Sequence, residues 1–396
     1  MIRAHRFCAV IILLLGGTTA AQESALERAR SEAASLRQSS VDDPHAWHCS
    51  GLHDALRGWF ESVLPESKAT LDAQFDALQL KIDAALRRAG LAPANGGPAS
   101  ADPGFVAVAL SRPPEDTDKL VVKVEVDIPC GSNDAVYIYD YGSGAPRRVL
   151  ESRSGERHDE SLLDVRVSKK DALGNQLILT ARDGVQCFST FNKLSYELFR
   201  LSPRANRAES ILSGEHGLRL GDYHPAKVRL EPGEALMEMG DRSIDSGILV
   251  RPHVLHFQAK ADSPVQRIDP VALLPEDFVD EWMTRPWQEM ESRSDEAGRS
   301  KLEQWHQFLG GGFVAGDYTL VQPCQFVIGQ WQIAVDLSFL KGEALPEPLT
   351  VFFLVQQIEQ YRFRMMGISF DRQDGCPGES ELNRTTSPTL FPAVKP

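Results

Sequence analysis

The chain has 396 residues, with 42 basic and 55 acidic side chains and a net charge of −13. That surplus of carboxylates argues against binding nucleic acid or anionic lipid, both of which need basic patches, so no nucleic-acid partner is expected. The length exceeds one ordinary core, and two or three domains of mixed α and β structure are expected.

The first residues read as an address. Arg3, His5 and Arg6 give a basic start, Phe7 to Leu15 is an unbroken apolar run, and Gly16 to Ala21 are small. This is the pattern of a secretory signal peptide over residues 1–21, with cleavage near Ala20 or Ala21. The run is shorter than the ~20 apolar residues of a bilayer span. Nothing polar interrupts it to form the outer face of a buried helix. Cys8 precedes the run, whereas a lipid-anchoring cysteine would follow it. The expected location is periplasmic or extracellular. Loss of Arg3 and Arg6 leaves 40 basic against 55 acidic side chains, a net charge of −15 that suits an exported protein. No later stretch is long enough to cross a membrane.

Five cysteines follow the expected cleavage point: Cys49, Cys130, Cys187, Cys324 and Cys376. In an oxidising compartment bridges are favoured over ligands. Intradomain spacing pairs Cys130 with Cys187 and Cys324 with Cys376, which leaves Cys49 over.

Residues 22–92 read as helices. Leu26, Ala29, Ala33 and Leu36 share one face, and Asp43-Pro44 is a helix start. Leu52, Leu56, Trp59, Phe60 and Val63 recur at helical spacing. The clearest helix follows Pro65, where Leu71, Phe75, Leu78, Ile82 and Leu86 step by three and four. Arg87 and Arg88 stand last and Gly90 sits at the stop. Residues 93–104 are a linker by their Pro, Gly and Asn content.

From 105 to 270 the period changes to that of strands. Val136–Tyr139, Ser195–Leu198 and Val254–Phe257 are separated by steps of 59 residues, each followed by a proline turn and an arginine (Pro146 and Arg148, Pro203 and Arg207, Pro264 and Arg267). A unit of about sixty residues with three or four strands resembles a propeller blade, and three units cannot close a ring. The expected architecture is a propeller-like open stack or a β-sandwich.

Residues 271–376 read as an α+β domain with an antiparallel sheet. Phe278, Trp282 and Met283 line a helix over 275–291, and Leu302, Trp305, Phe308 and Leu309 line the next. Trp331, Ile333, Val335, Leu337 and Phe339 alternate cleanly, and Val351–Val355 is a continuous apolar strand. Tyr361, Phe363 and Met365 alternate until Ile368 and Phe370 resume out of phase, which a bulge at Gly367 would cause. Residues 377–396, with four prolines, read as a disordered tail.

Chemical motifs are scarce. His45, Cys49 and His53 would share a helix face with zinc-ligand residue types, His48 beside them. Gly51 interrupts that helix, while Trp47 and Leu52 can pack inward with the histidines outside, so no metal is expected. Gly310-Gly311-Gly312 follows a helix and precedes a strand, the reverse of a phosphate-cradling loop. Glu276, Asp277, Asp280 and Glu281 could form an acid/base pair, but acids beside Pro275 are also ordinary partners of a helix N-terminus. No Gly-x-Ser-x-Gly, Ser-x-x-Lys, His-Glu-x-x-His, P-loop or calcium loop occurs, and no cofactor is expected.

Two functions remain. One is a non-catalytic exported binding or scaffold protein with a protein or small-molecule partner. The alternative is an exported hydrolase or isomerase with a pocket in the C-terminal α+β domain, between Trp282 and Trp287 and a polar sheet face carrying Gln330, Gln332, Asp336, Arg362 and Arg364.

Overall fold

Alternating β-branched and aromatic residues build a first sheet with two apolar faces. The strands β1 (Val106–Ser111), β2 (Lys119–Ile128), β3 (Gly131–Asp140) and β4 (Arg147–Arg153) form an antiparallel meander in chain order. The computed structural model describes residues 5–38, 49–92, 104–128, 131–154, 160–184, 191–219, 227–245, 250–261, 263–310, 314–325, 327–373 and 376. Successive side chains point to opposite faces of a strand. Val122, Val124 and Val126 therefore join Ala135, Tyr137 and Tyr139 on one face, while Val121, Val136 and Ile138 occupy the other.

Helices cover the first of these faces. They are α1 (His5–Gln38), α2 (Ser50–Val63) and α3 (Lys68–Arg88). Ala29, Ala33, Leu52, Leu56, Phe60, Leu71, Ile82 and Leu86 supply the apolar stripes that meet the valines and tyrosines. α1 runs through the expected cleavage point at residues 20–21, and its later turns bury Ala25, Ala29, Ala33 and Leu36. Ser67 Oγ caps α3 by accepting from Thr70 N at 3.3 Å, and Gly90 at φ +69° closes it, with Leu91 N donating to Leu86 O. Gly104 is required where the chain enters β1: φ is +80°, and a Cβ there would lie 2.9 Å from Ala33 O.

The second meander covers the other face. It comprises β5 (Glu160–Val167), β6 (Gln176–Gly184), β7 (Phe191–Leu201) and β8 (Glu209–Arg219). Leu162, Val167, Ile178, Phe199 and Leu201 pack on Val121, Val136, Ile138 and Leu150.

The chain divides into two compact units, residues 1–215 and 216–396, with the boundary inside β8. The third meander, β9 (Lys227–Glu231), β10 (Glu234–Arg242), β11 (Val250–Gln258) and β12 (Gln266–Arg267), thus belongs to the C-terminal unit. The reading of residues 105–270 as one β domain and 271–376 as another places this meander differently. The physical reason is that charged side chains on β11 and β12 pair with the next helix.

That helix is α4 (Pro275–Thr284), followed by α5 (Trp287–Met290) and α6 (Arg299–Leu309). The single helix expected over 275–291 is broken, because Pro286 drives Arg285 to ψ 157° and ends α4 one residue earlier. The fourth sheet is a meander of β13 (Ala315–Pro323), β14 (Gln330–Leu340), β15 (Glu343–Glu359) and β16 (Arg362–Ser369). Ile333, Val335, Leu337, Val351, Phe353, Phe363 and Met365 form its helix-facing side against Phe278, Trp282 and Leu302. The phase change before Gly367 is a bulge: Leu354 pairs with Gly367 and Val355 with Met365, which leaves Met366 over.

The described residues thus form six α-helices and four open antiparallel sheets, a mixed and mostly β architecture. Val136–Tyr139, Ser195–Leu198 and Val254–Phe257 each lie in the third strand, in chain order, of a four-stranded meander. Cys324 and Cys376 are joined in a disulfide. Cys130 and Cys187, the helix start at Asp43-Pro44 and the segment 377–396 lie outside the described residues. Among the described residues no helix is long and apolar enough to cross a membrane.

Candidate functional site

The densest ionisable cluster in the C-terminal unit lies where α4 meets β11. Arg251 and His253 are two residues apart on β11 and so share a face with Leu255 and Phe257. On α4, spacings of three and four turn Asp277, Asp280 and Glu281 inward. All three acids are 0% exposed. Their reading as helix-terminus partners beside Pro275 is thereby corrected: each is bound to a specific side chain in the interior.

Glu281 is the best partnered. His253 Nδ1 donates to Oε1 at 2.6 Å, Arg267 Nη2 stands 2.9 Å from the same oxygen, and Arg285 Nε donates to Oε2 at 3.2 Å. Burial alone would raise this carboxyl, but Arg267, His253 and Arg285 hold it well below its ordinary range. Burial likewise opposes the His253 imidazolium, and the Glu281 hydrogen bond and charge reverse that and raise it.

Asp277 and Asp280 behave oppositely. Burial, with Glu276 nearby, pushes Asp277 up to about 8 in spite of Arg251, whose Nη1 donates to it at 3.4 Å. Asp280 is also raised by burial, and its Oδ1 accepts from Tyr318 Oη at 2.7 Å. Arg251 is shared: it donates to Asp245 at 3.0 Å and lies over the Tyr318 ring, 4.7 Å from the centroid. A second knot joins His216, Asp241 and Arg285, with His216 Nδ1 2.6 Å and Arg285 Nη2 3.2 Å from Asp241 Oδ2. Two carboxylic acids with raised affinity for protons and one anion locked among cations could in principle divide acid and base roles. With the acids sealed from solvent, no substrate reaches them in this arrangement.

Open space lies elsewhere. A cleft of about 380 Å³ in the N-terminal unit is lined by Arg153, Thr180, Arg182, Ser195, Tyr196, Glu197, Ser213, Gly214 and Glu215. The side chains come from β4, β6, β7 and β8. Arg182 is anchored by donating to Asp134 O at 3.2 Å and Ser152 Oγ at 2.9 Å. Arg153 donates to Asp54 at 2.7 Å and also pairs with Glu151. A Cβ on Gly214 would overlap the Tyr196 hydroxyl at 2.2 Å, so glycine here leaves room for that ring.

The residues singled out from sequence fall in several places. Trp282 is buried on the helix side of the fourth sheet and donates from Nε1 to Ser294 Oγ at 3.1 Å. Asp336 lies between Val335 and Leu337 and points to the opposite face, where Thr350 Oγ1 donates to it at 2.6 Å. Arg362 and Arg364 alternate with Phe363 and Met365 in the same way, and Arg362 pairs with Asp269 at 3.1 Å. The sheet therefore separates Trp282 from the other three, and apolar packing fills the interface expected to hold a pocket.

His45 and His48 lie outside the described residues. Cys49 is buried at the N-cap of α2. His53 is buried, with Nε2 2.9 Å from Asn133 Oδ1, and burial lowers its pKa to about 4. Among the described residues no group of three or more His, Cys, Asp or Glu side chains is placed to hold a metal.

Arg251, His253, Arg267, Tyr318, Asp241 and His216 were absent from the sequence candidates. One signal was available: in the stretch Val250–Gln258, Arg251 and His253 occupy the inward phase set by Leu255 and Phe257.

No family model matches the chain, and no curated protein does. Among solved structures, one similar chain is an alpha-L-arabinofuranosidase from Podospora anserina, crystallised with cellotriose. It is 10% identical over 69% of this chain and 92% of its own, with a TM-score of 0.17. A score that low carries no argument about fold or function.

Proposed function

We propose that this is an exported, non-catalytic binding protein whose cleft in the N-terminal unit takes a small zwitterionic ligand. The cleft carries the reading: it presents guanidiniums (Arg153, Arg182), carboxylates (Glu197, Glu215) and the hydroxyls of Thr180, Ser195 and Ser213 around one space of about 380 Å³. That is the size of a small-molecule site. Lining groups of both signs disfavour a ligand of one charge and favour one that carries both. Free amino acids are the simplest such molecules. The catalytic alternative finds less support, because the acids that would serve it are sealed in the interior of the other unit.

Export rests on the pattern of residues 1–21 and agrees with the Cys324–Cys376 disulfide. The first three meanders are read as copies of one unit. Support comes from the recurrence of the aromatic segment in each third strand.

The test is calorimetric titration with the free amino acids, alongside simple amines and carboxylates. Saturable binding of zwitterions is expected, weakened about tenfold or more by Glu197→Gln, since a hydrogen bond to a charged group contributes ~1.5–3 kcal/mol. If no zwitterion binds, or if Glu197→Gln binds equally well, the cleft is not the site.

A further inference from the structure

The free end of the fourth sheet carries exposed aliphatic side chains on a loop that is held in shape. In the turn between β13 and β14, Val327 is 44% and Ile328 98% exposed; at the end of β15, Ile358 is 42% exposed. Gln330 pairs with Gln356, and continuing that register by two residues sets Ile358 opposite Ile328. The turn is fixed from below. Gln357 N donates to Gly329 O at 2.7 Å, Gln356 Nε2 donates to Ile328 O at 3.0 Å, and Gly329 takes φ +74°. The Cys324–Cys376 disulfide ties the base of the same loop. Exposed apolar side chains grouped and held this way mark an interaction site.

We propose that this end is a membrane-contact tip, with Val327, Ile328 and Ile358 entering the interfacial region of a zwitterionic bilayer. Two features choose the bilayer over another occupant. Ile328 is 98% exposed at the head of a turn, so it needs a receptor that yields around it, as headgroups do. The two segments that carry the tip are also rich in uncharged amides in a strongly acidic chain: Gln325 and Gln330 flank Val327 and Ile328, and Gln356, Gln357 and Gln360 flank Ile358. The acid next to Ile358 in the chain, Glu359, is paired with Arg362 at 3.6 Å, and Arg364 stands across from Gln356. Uncharged amides can sit among headgroups without the desolvation cost of the carboxylates that dominate the rest of the chain. Trp331, half-buried at the start of β14, adds an aromatic of the kind that settles at such interfaces.

The experiment is co-sedimentation of the full chain with phosphatidylcholine vesicles, comparing the wild type with Ile328→Asp and Ile328→Ser. At 98% exposure, Ile328 contributes nothing to the core, so both variants should melt like the wild type. Wild-type binding should fall about tenfold or more in Ile328→Asp, and less in Ile328→Ser, as expected for losing one buried Ile and, in the first case, adding a charge. The apolar run over residues 7–15 is common to all three chains and cannot produce a difference between them. Equal binding by all three, or none by the wild type, overturns the proposal. So does a concentration-dependent dimer in solution that Ile328→Asp abolishes, since a second copy would then cover the tip.

Discussion

Two interfaces, one inside each unit, are held by different means. In the N-terminal unit, the first sheet is apolar on both faces, with Val122, Val124 and Tyr137 under the helices and Val121, Val136 and Ile138 under the second meander. In the C-terminal unit, β11 meets α4 through Arg251, His253, Asp277 and Glu281. An apolar interface is held by area and tolerates small shifts in geometry. A buried ionic one holds only while every charge keeps its partner, because an unpaired ion in the interior costs more than the pair gains. The contrast is sharpest at Glu281, which is bonded to His253 and shares Arg267 with Glu289 and Arg285 with Asp241. Glu281→Ala strands the His253 imidazolium and takes one partner each from Arg267 and Arg285, and its cost should reach ~5 kcal/mol, the upper end for breaking a buried pair. Urea unfolding followed by tryptophan fluorescence, with Trp282 and Trp287 reporting locally, measures it. A loss under ~1 kcal/mol would mean that the network does not hold α4 to β11.

Legibility in the sequence follows the same divide. Apolar period carried β2, β3, β14, the bulge before Gly367 and α3 with its Gly90 stop, because one residue type recurring at one spacing sets both the element and its buried face. The ionic interface has no period of its own. Asp277 is indistinguishable in sequence from an ordinary first-turn acid and Glu281 from an ordinary surface acid of a helix, and their burial depends on β11, more than twenty residues earlier. The expected pocket around Asp336 and Arg364 failed for a related reason: alternation placed them correctly on the polar face, but could not say which face the helices would cover. The break at Pro286 was visible, and the apolar spacing of Phe278 and Trp282 masked it.

Proton linkage separates the units further. Asp277 binds its proton more tightly in the folded protein, with a pKa of about 8 against 3.8 for the free side chain. Its contribution is therefore complete below pH ~3.8 and lost as pH rises through 8. Asp277→Asn keeps the shape of the protonated acid and removes the titration. The variant should gain on the order of 4 kcal/mol relative to the wild type between pH 5 and pH 9. Equal pH dependence of the two chains in urea unfolding would show that Asp277 stays ionised in the folded state.

His53 is the counterpart within the apolar unit, a titratable ring that α2 carries into the core. Its pKa is lowered from 6.5 to about 4, chiefly by burial, because the hydrogen bond to Asn133 only partly offsets the cost of a charged imidazole in that core. For a base with a lowered pKa, the folded state disfavours the proton. Stability is intact above pH 6.5 and falls as pH drops towards 4, in the opposite direction to Asp277. The loss should approach ~3 kcal/mol at pH 4, the smallest of the three effects. His53→Gln can still reach Asn133 and cannot titrate, so its unfolding free energy should lack this acid limb. Paired urea titrations at pH 7 and pH 4.5 decide the matter. If wild type and variant lose the same amount, the acid sensitivity belongs to carboxylates such as Glu281 instead, and the apolar unit is indifferent to protons.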